Sequence, residues 1–145
     1  IAGRDGGGRA AVDAAVAALD PATRARVVIA GPVDEAGRIG LLRRAGVIAY
    51  PSRYEGFGFP ILEAMTAGVP VVASRAGSIP EVAGDAALLV TPDDTDGLAD
   101  ALTRALTDTE ERKQLTARGA ERLATFPWSA TAHGLADWYR RLASS

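Results

Sequence analysis

Short apolar runs along the 145-residue chain alternate with stretches whose apolar residues recur three or four positions apart. "RAAVDAAVAALD", Arg9 to Asp20, has the helical spacing. "RVVIAG", Arg26 to Gly31, is a β-branched run stopped by Gly31 and Pro32, so it predicts a buried strand. "DEAGRIGLLRRAG" predicts the next helix, with Asp34 as its N-cap and Gly46 just past its end. "VIAYPS", Val47 to Ser52, is a strand halted by Pro51. After a glycine-broken loop, Pro60 suits a first helical position, where a missing N–H costs nothing, and the helix runs to Gly68. "VPVVAS" and "AALLVT" predict strands on either side of a short helix in "SIPEVAG". From Thr95 onward only helical spacing remains, with further helices expected over Thr109 to Ala124 and Ser129 to Leu142.

Strands and helices alternating at this interval predict a doubly wound α/β domain: a parallel sheet, Rossmann-like, with a helical C-terminal tail. The strands are almost wholly apolar, as burial on both faces requires. Ligands of such sheets bind beyond the carboxyl ends of the strands. The loop at 51–59 follows a strand and precedes a helix, which places it there.

Charge and composition narrow the classes. Sixteen basic and eighteen acidic residues give a net charge of −2 with no basic run longer than a pair, so no nucleic-acid partner is expected. With no cysteine and a single histidine, His133, disulfides, thiolate catalysis and multi-histidine metal sites are excluded. No apolar run approaches the ~20 residues of a membrane span. The opening "IAGRDGGG" reads as a strand end followed by a loop, so the expectation is a single domain, 1–145, that is a fragment of a longer protein.

The candidate chemistry lies in "EGFGFPILE", Glu55 to Glu63. Gly56 and Gly58 permit close backbone approach, and Phe57 and Phe59 contribute N–H groups to a segment too twisted for a ladder. Pro60 then opens a helix whose N-terminus carries unpaired donors and a partial positive charge. Together these make a cradle for phosphate that needs no Lys or Arg of its own. The two carboxylates repel phosphate but suit hydroxyl donors, so a ligand with a central diphosphate and a polyol at each end fits all three features. The competing reading makes Glu63 a helix-dipole partner, Glu55 a solvated loop charge and the phenylalanines core.

The stretch from "YPSRYEGFGFPILEAMTAGVPVVAS" through "GSIPEVAGDAALLVTPDDTDGLADAL" resembles the C-terminal domain of the retaining GT-B glycosyltransferases of family 4, whose mark is E-x7-E. The resemblance implies that Glu55 holds hydroxyls of the donor sugar and is the candidate catalytic, charge-stabilising residue. It implies that the backbone of Gly56, Phe57, Gly58 and Phe59 binds the diphosphate, that Glu63 takes the ribose hydroxyls, and that Val33, Asp34 and Glu35 meet the nucleobase. No metal and no cofactor are implied, because the nucleotide diphosphate sugar is itself the substrate. The family's phosphate-clamping Arg/Lys and its N-terminal acceptor domain are not in this sequence, so the chain alone is expected to be inactive. The same likeness implies a cytoplasmic location, with a peripheral place at the inner membrane face open to the longer form. Half of a sugar-nucleotide epimerase, or a non-catalytic interaction module on the same fold, are the alternatives.

Other features carry plainer readings. Gly77 and Ser78 open the next βα loop; the resemblance implies a place bordering the sugar pocket, and the plainer reading is a turn plus the N-cap of a short helix. "GGGRAA", Gly6 to Ala11, fits a dinucleotide fingerprint, but the acidic residue expected at the end of the next strand is replaced by Gly31, so a flexible loop suffices. "TPDDTDG" reads as helix N-capping near Thr95 rather than a calcium loop. His133 reads as structural. Trp128, Leu135, Trp138, Tyr139 and Leu142 form an apolar stripe on the last helix, with self-association and packing on the sheet as equal expectations.

Overall fold

A computed structural model describes residues 1–3 and 5–143. The chain forms two compact units, Ile1–Leu41 and Leu42–Ser145. In the first, α1 (Arg9–Ala17) is followed by α2 (Pro21–Arg24), where Asp20 accepts from the N–H groups of Ala22 and Thr23. The helix expected over 9–20 therefore ends at Ala17, and Asp20 caps a separate turn that Pro21 opens.

The strand expected over 26–31 does not form. Residues 1–3 meet it through one isolated parallel bridge, Ala2 to Gly31, and backbone bonds from Gly3 to Gly31 and from Ala30 to Ile1. Val28 is 69% exposed, so the β-branched run lacks the neighbours on both sides that a buried strand needs. Asp34 does cap α3 (Glu35–Arg44): its Oδ1 accepts from the Gly37 N–H at 2.8 Å.

The second unit holds the sheet. Strands β1 (Ile48–Tyr50), β2 (Val71–Ser74) and β3 (Leu88–Val90) lie parallel in that order. Ile48 pairs with Val71, and Val72 with Leu88. Every residue of β2 is buried, which matches its apolar, β-branched composition. Because side chains alternate along a strand, β2 feeds two cores. Val71 and Ala73 join Ile61, Ala64 and Met65 of α4 (Phe59–Thr66) and Ile79 and Ala83 of α5 (Ile79–Ala83). Val72 faces the other way, onto Ala101 and Ala105 of α6 (Thr95–Thr107). The sheet is thus covered on both faces, and the crossover helices α4 and α5 share one of them.

Capping explains the later helix boundaries. Asp94 accepts from the Gly97 N–H to start α6, as the "TPDDTDG" segment leads one to expect. Asp108 accepts from Glu110 and Glu111 to start α7 (Thr109–Leu123). Each such cap stabilises its helix by roughly 1 kcal/mol. The last helix, α8 (Trp128–Ala143), has no buried residue. Trp138, Tyr139 and Leu142 are all more than 60% exposed, so of the two expectations for the stripe, packing on the sheet is not what the fold adopts. Among the described residues no helix is long and apolar enough to cross a membrane.

Candidate functional site

The loops leaving β1, β2 and β3 gather at one edge of the sheet. Ser74, 1% exposed at the end of β2, donates its hydroxyl to the carbonyl of Ser52 and so ties the first two strand ends together. A buried hydroxyl needs such a partner. Arg53 and Asp93 pair at 2.8 Å across the first and third loops, but both are exposed, and a pair of that kind contributes at most about 1 kcal/mol.

The glycine loop between the two glutamates is ordered by its carbonyls. Gly58 sits at φ 100°, a conformation that favours glycine, and is the N-cap of α4, which begins one residue before the expected Pro60. The Gly58 carbonyl accepts from the Ile61 N–H at 3.0 Å. The Glu55 carbonyl accepts from both the N–H (3.2 Å) and the hydroxyl (3.0 Å) of Ser78. The Phe57 carbonyl lies 2.9 Å from the same hydroxyl, whose one proton is shared between the two carbonyls. By contrast, the N–H groups of Gly56, Phe57, Gly58 and Phe59 meet no acceptor among the described residues. Four free donors at the start of a helix are the arrangement that receives an anion.

Ser78 is the N-cap residue of α5, as the sequence leads one to expect, but its side chain is turned to another use. It makes no capping bond there. It reaches back to the glycine loop instead. Gly77 is equally constrained: at φ 53°, an added Cβ would lie 2.4 Å from the Glu55 carbonyl oxygen. A local pattern of serine before a helix carries no sign of partners more than twenty positions earlier.

Both glutamates are half-buried. Tyr50, at the end of β1, lies under their influence. Its pKa is pushed up to about 12, first by burial, then by hydrogen bonding to Glu55 and by the negative charges of Glu55 and Glu63. Sequence reasoning missed Tyr50, whose only signal was its place at the carboxyl end of a strand. Glu63 also lines a cleft of about 550 Å³ with Phe57, Phe59, Phe126 and Trp128; Glu55 is not part of that lining. The two loop phenylalanines are partly exposed rather than core, with ring centres 4.6 Å apart. Phe57 meets Phe126 edge-on at 6.1 Å, and the Arg122 guanidinium lies 4.9 Å from the centre of the Phe126 ring. Arg122 also donates to the Val82 carbonyl at the end of α5, so it fixes the turn that carries Phe126.

The remaining candidates fall as follows. Val33, Asp34 and Glu35 are exposed at the start of α3, in the first unit. In the loop at 5–8, also in that unit, Asp5 Oδ1 accepts from the N–H groups of Gly7 (2.8 Å) and Arg9 (3.3 Å). His133 is exposed on α8. Among the described residues no group of three His, Cys, Asp or Glu could hold a metal.

Comparison with known proteins places this geometry in a family. The family model of glycosyl transferases group 1 matches residues 1–108, and the chain belongs to that family. It is 48% identical over 88 residues to the O-antigen chain mannosyltransferase B of Escherichia coli, covering 61% of this chain and 23% of that protein. It is 32% identical over 123 residues to the serotype-specific mannosyltransferase WbdA of the same organism, covering 85% of this chain and 15% of the relative. The sucrose-phosphate synthase of Thermosynechococcus elongatus superposes with a TM-score of 0.81 at 32% identity, over 99% of this chain and 38% of that one. Anabaena HepE in complex with UDP-glucose matches in fold, with a TM-score of 0.83 at 24% identity, over 99% of this chain and 40% of that one. The fold is therefore the α/β fold of the GT-B glycosyltransferases, and this chain spans less than half the length of each of these relatives.

Proposed function

We propose that this chain is the donor-binding half of a glycosyltransferase that moves a sugar from a nucleotide diphosphate sugar to an acceptor, with retention at the anomeric carbon. One observation carries the reading: four unpaired N–H groups, Gly56 to Phe59, stand at the start of α4 between two half-buried glutamates. The amides and the positive end of the helix receive the diphosphate. Glu63 takes the ribose hydroxyls, and Glu55 takes hydroxyls of the sugar.

In the reaction the bond between the anomeric carbon and the diphosphate oxygen breaks, and its electron pair leaves with the diphosphate. The acceptor hydroxyl attacks from the face the diphosphate leaves, and its proton passes to the departing diphosphate oxygen. Negative charge grows on the departing group, and donors already aimed at it stabilise the transition state more than the ground state. Glu55 holds the sugar and stabilises the positive charge developing on it. The reading requires no metal, because main-chain donors meet the diphosphate charge.

The acceptor would be held by a further domain, so the chain alone binds donor without turning it over. Titration calorimetry of the chain with UDP-glucose, GDP-mannose and ADP-glucose tests the reading. Binding of at least one, with no transfer to added sugar acceptors, is expected; binding of none would contradict it.

A further inference from the structure

We infer that Ser78 is the positioning residue of the anion cradle: its hydroxyl, by pinning the Phe57 carbonyl together with that of Glu55, aims the Gly56 and Gly58 N–H groups at the ligand. The inference rests on the donor-site reading above and goes beyond it by naming what orients the donors. All peptide bonds among the described residues are trans. In a planar trans peptide the carbonyl of one residue and the N–H of the next point in opposite directions. The Glu55 carbonyl, held at 3.0 Å by the Ser78 hydroxyl, turns the Gly56 N–H away from Ser78. The Phe57 carbonyl, held at 2.9 Å by the same hydroxyl, turns the Gly58 N–H the same way. One hydroxyl, its single proton shared between the two carbonyls, thus sets two alternate peptide planes in register, with both N–H groups turned away from Ser78. This is the geometry of a backbone anion nest.

Gly77 makes the approach possible. Any Cβ there would strike the Glu55 carbonyl oxygen at 2.4 Å and its nitrogen at 3.0 Å, so the loop at 77–78 lies against the Glu55 backbone with no space between. The two carbonyls are not equally dependent on the hydroxyl. The Ser78 N–H also donates to Glu55, at 3.2 Å, and survives any side-chain change. Among the described residues the Phe57 carbonyl has only the hydroxyl. Loss of the hydroxyl should therefore release the Gly58 plane and leave the Gly56 plane largely held.

The experiment compares the chain with its Ser78→Ala and Ser78→Thr variants by amide NMR and by titration with UDP, UDP-glucose, GDP and GDP-mannose. Guanosine and uridine, which lack the diphosphate, serve as controls. For Ser78→Ala the Gly58 amide should shift and exchange faster, and the Gly56 amide should change less. Affinity for the diphosphates and for the nucleotide sugars should fall equally, about fivefold to tenfold, the worth of one lost hydrogen bond. The nucleosides should show no change, and Ser78→Thr should restore both readouts. A merely structural serine would lower stability without separating Gly58 from Gly56 or diphosphate from nucleoside. If the unaltered chain binds these ligands and Ser78→Ala binds them as tightly, the inference is overturned while the donor reading stands. If the unaltered chain binds none, the donor reading fails and the inference falls with it.

Discussion

Two glycine-rich loops of this chain look alike on paper and differ in what they leave free. In the loop at 5–8, the carboxylate of Asp5 accepts from the N–H groups of Gly7 and Arg9, so a side chain of the segment takes up two of its donors. In the loop at 56–59 the reverse holds: the flanking carbonyls are engaged by Ser78 and Ile61, and four N–H groups meet no acceptor among the described residues. Glycine content is common to both. What separates a turn from an anion site is the partner each backbone group has already found.

The largest effect that can sharpen this contrast comes from Gly77→Ala. A Cβ forced against the Glu55 carbonyl, at a left-handed φ, should destabilise the second unit by on the order of 3 kcal/mol and abolish donor binding. Denaturant unfolding of the variant measures it; a loss below that of an ordinary surface change would mean that the two loops do not touch as described. Next comes Glu63→Ala, which should weaken nucleoside diphosphates and nucleotide sugars alike by about 2 kcal/mol, the value of a charge-assisted hydrogen bond. Unaltered affinity in calorimetry would remove Glu63 from the ribose. Glu55→Ala should cost a similar amount, about 2 kcal/mol, for the nucleotide sugar only and spare the bare diphosphate. Equal losses for both ligands would contradict its place on the sugar side.

Tyr50 supplies a smaller, pH-dependent test. Its folded pKa of about 12 lies above the ordinary 10.0, so the folded state holds the phenolic proton where the unfolded chain has lost it. The resulting stability is whole below pH 10 and is lost as pH rises through 12. The hydroxyl is partly solvated, so the change should be no more than about 1 kcal/mol after screening. Unfolding measured across that range should show the decline in the unaltered chain and its absence in Tyr50→Phe. The smallest effect is reserved for the other loop: Asp5→Ala should destabilise the start of α1 by about 0.5 kcal/mol. It should leave donor affinity unchanged; a marked loss of nucleotide binding in this variant would erase the distinction between the loops.

Much of this was legible in the sequence, for identifiable reasons. The strands of the second unit were readable because both-face burial demands continuous apolar runs, and "VVAS" is buried throughout. Asp34 and Asp94 were readable as caps because their bonds lie three residues away. The loop between the glutamates was readable because glycine and proline report backbone geometry directly. The failures share one cause, dependence on distant partners. Residues 26–31 have strand composition but only a single bridge to a neighbour. Ser78 holds the N-cap position, yet its side chain bonds to Glu55 and Phe57. Tyr50 reaches Glu55 only once β1 and the loop are folded together.

The most direct measurement is an amide NMR titration of the unaltered chain with the nucleotide sugar it binds. The account predicts that the resonances of Gly56, Phe57, Gly58 and Phe59 move most, with those of Gly7 and Arg9 unmoved. Binding that shifts Gly7 and Arg9 while leaving the four others in place would contradict it.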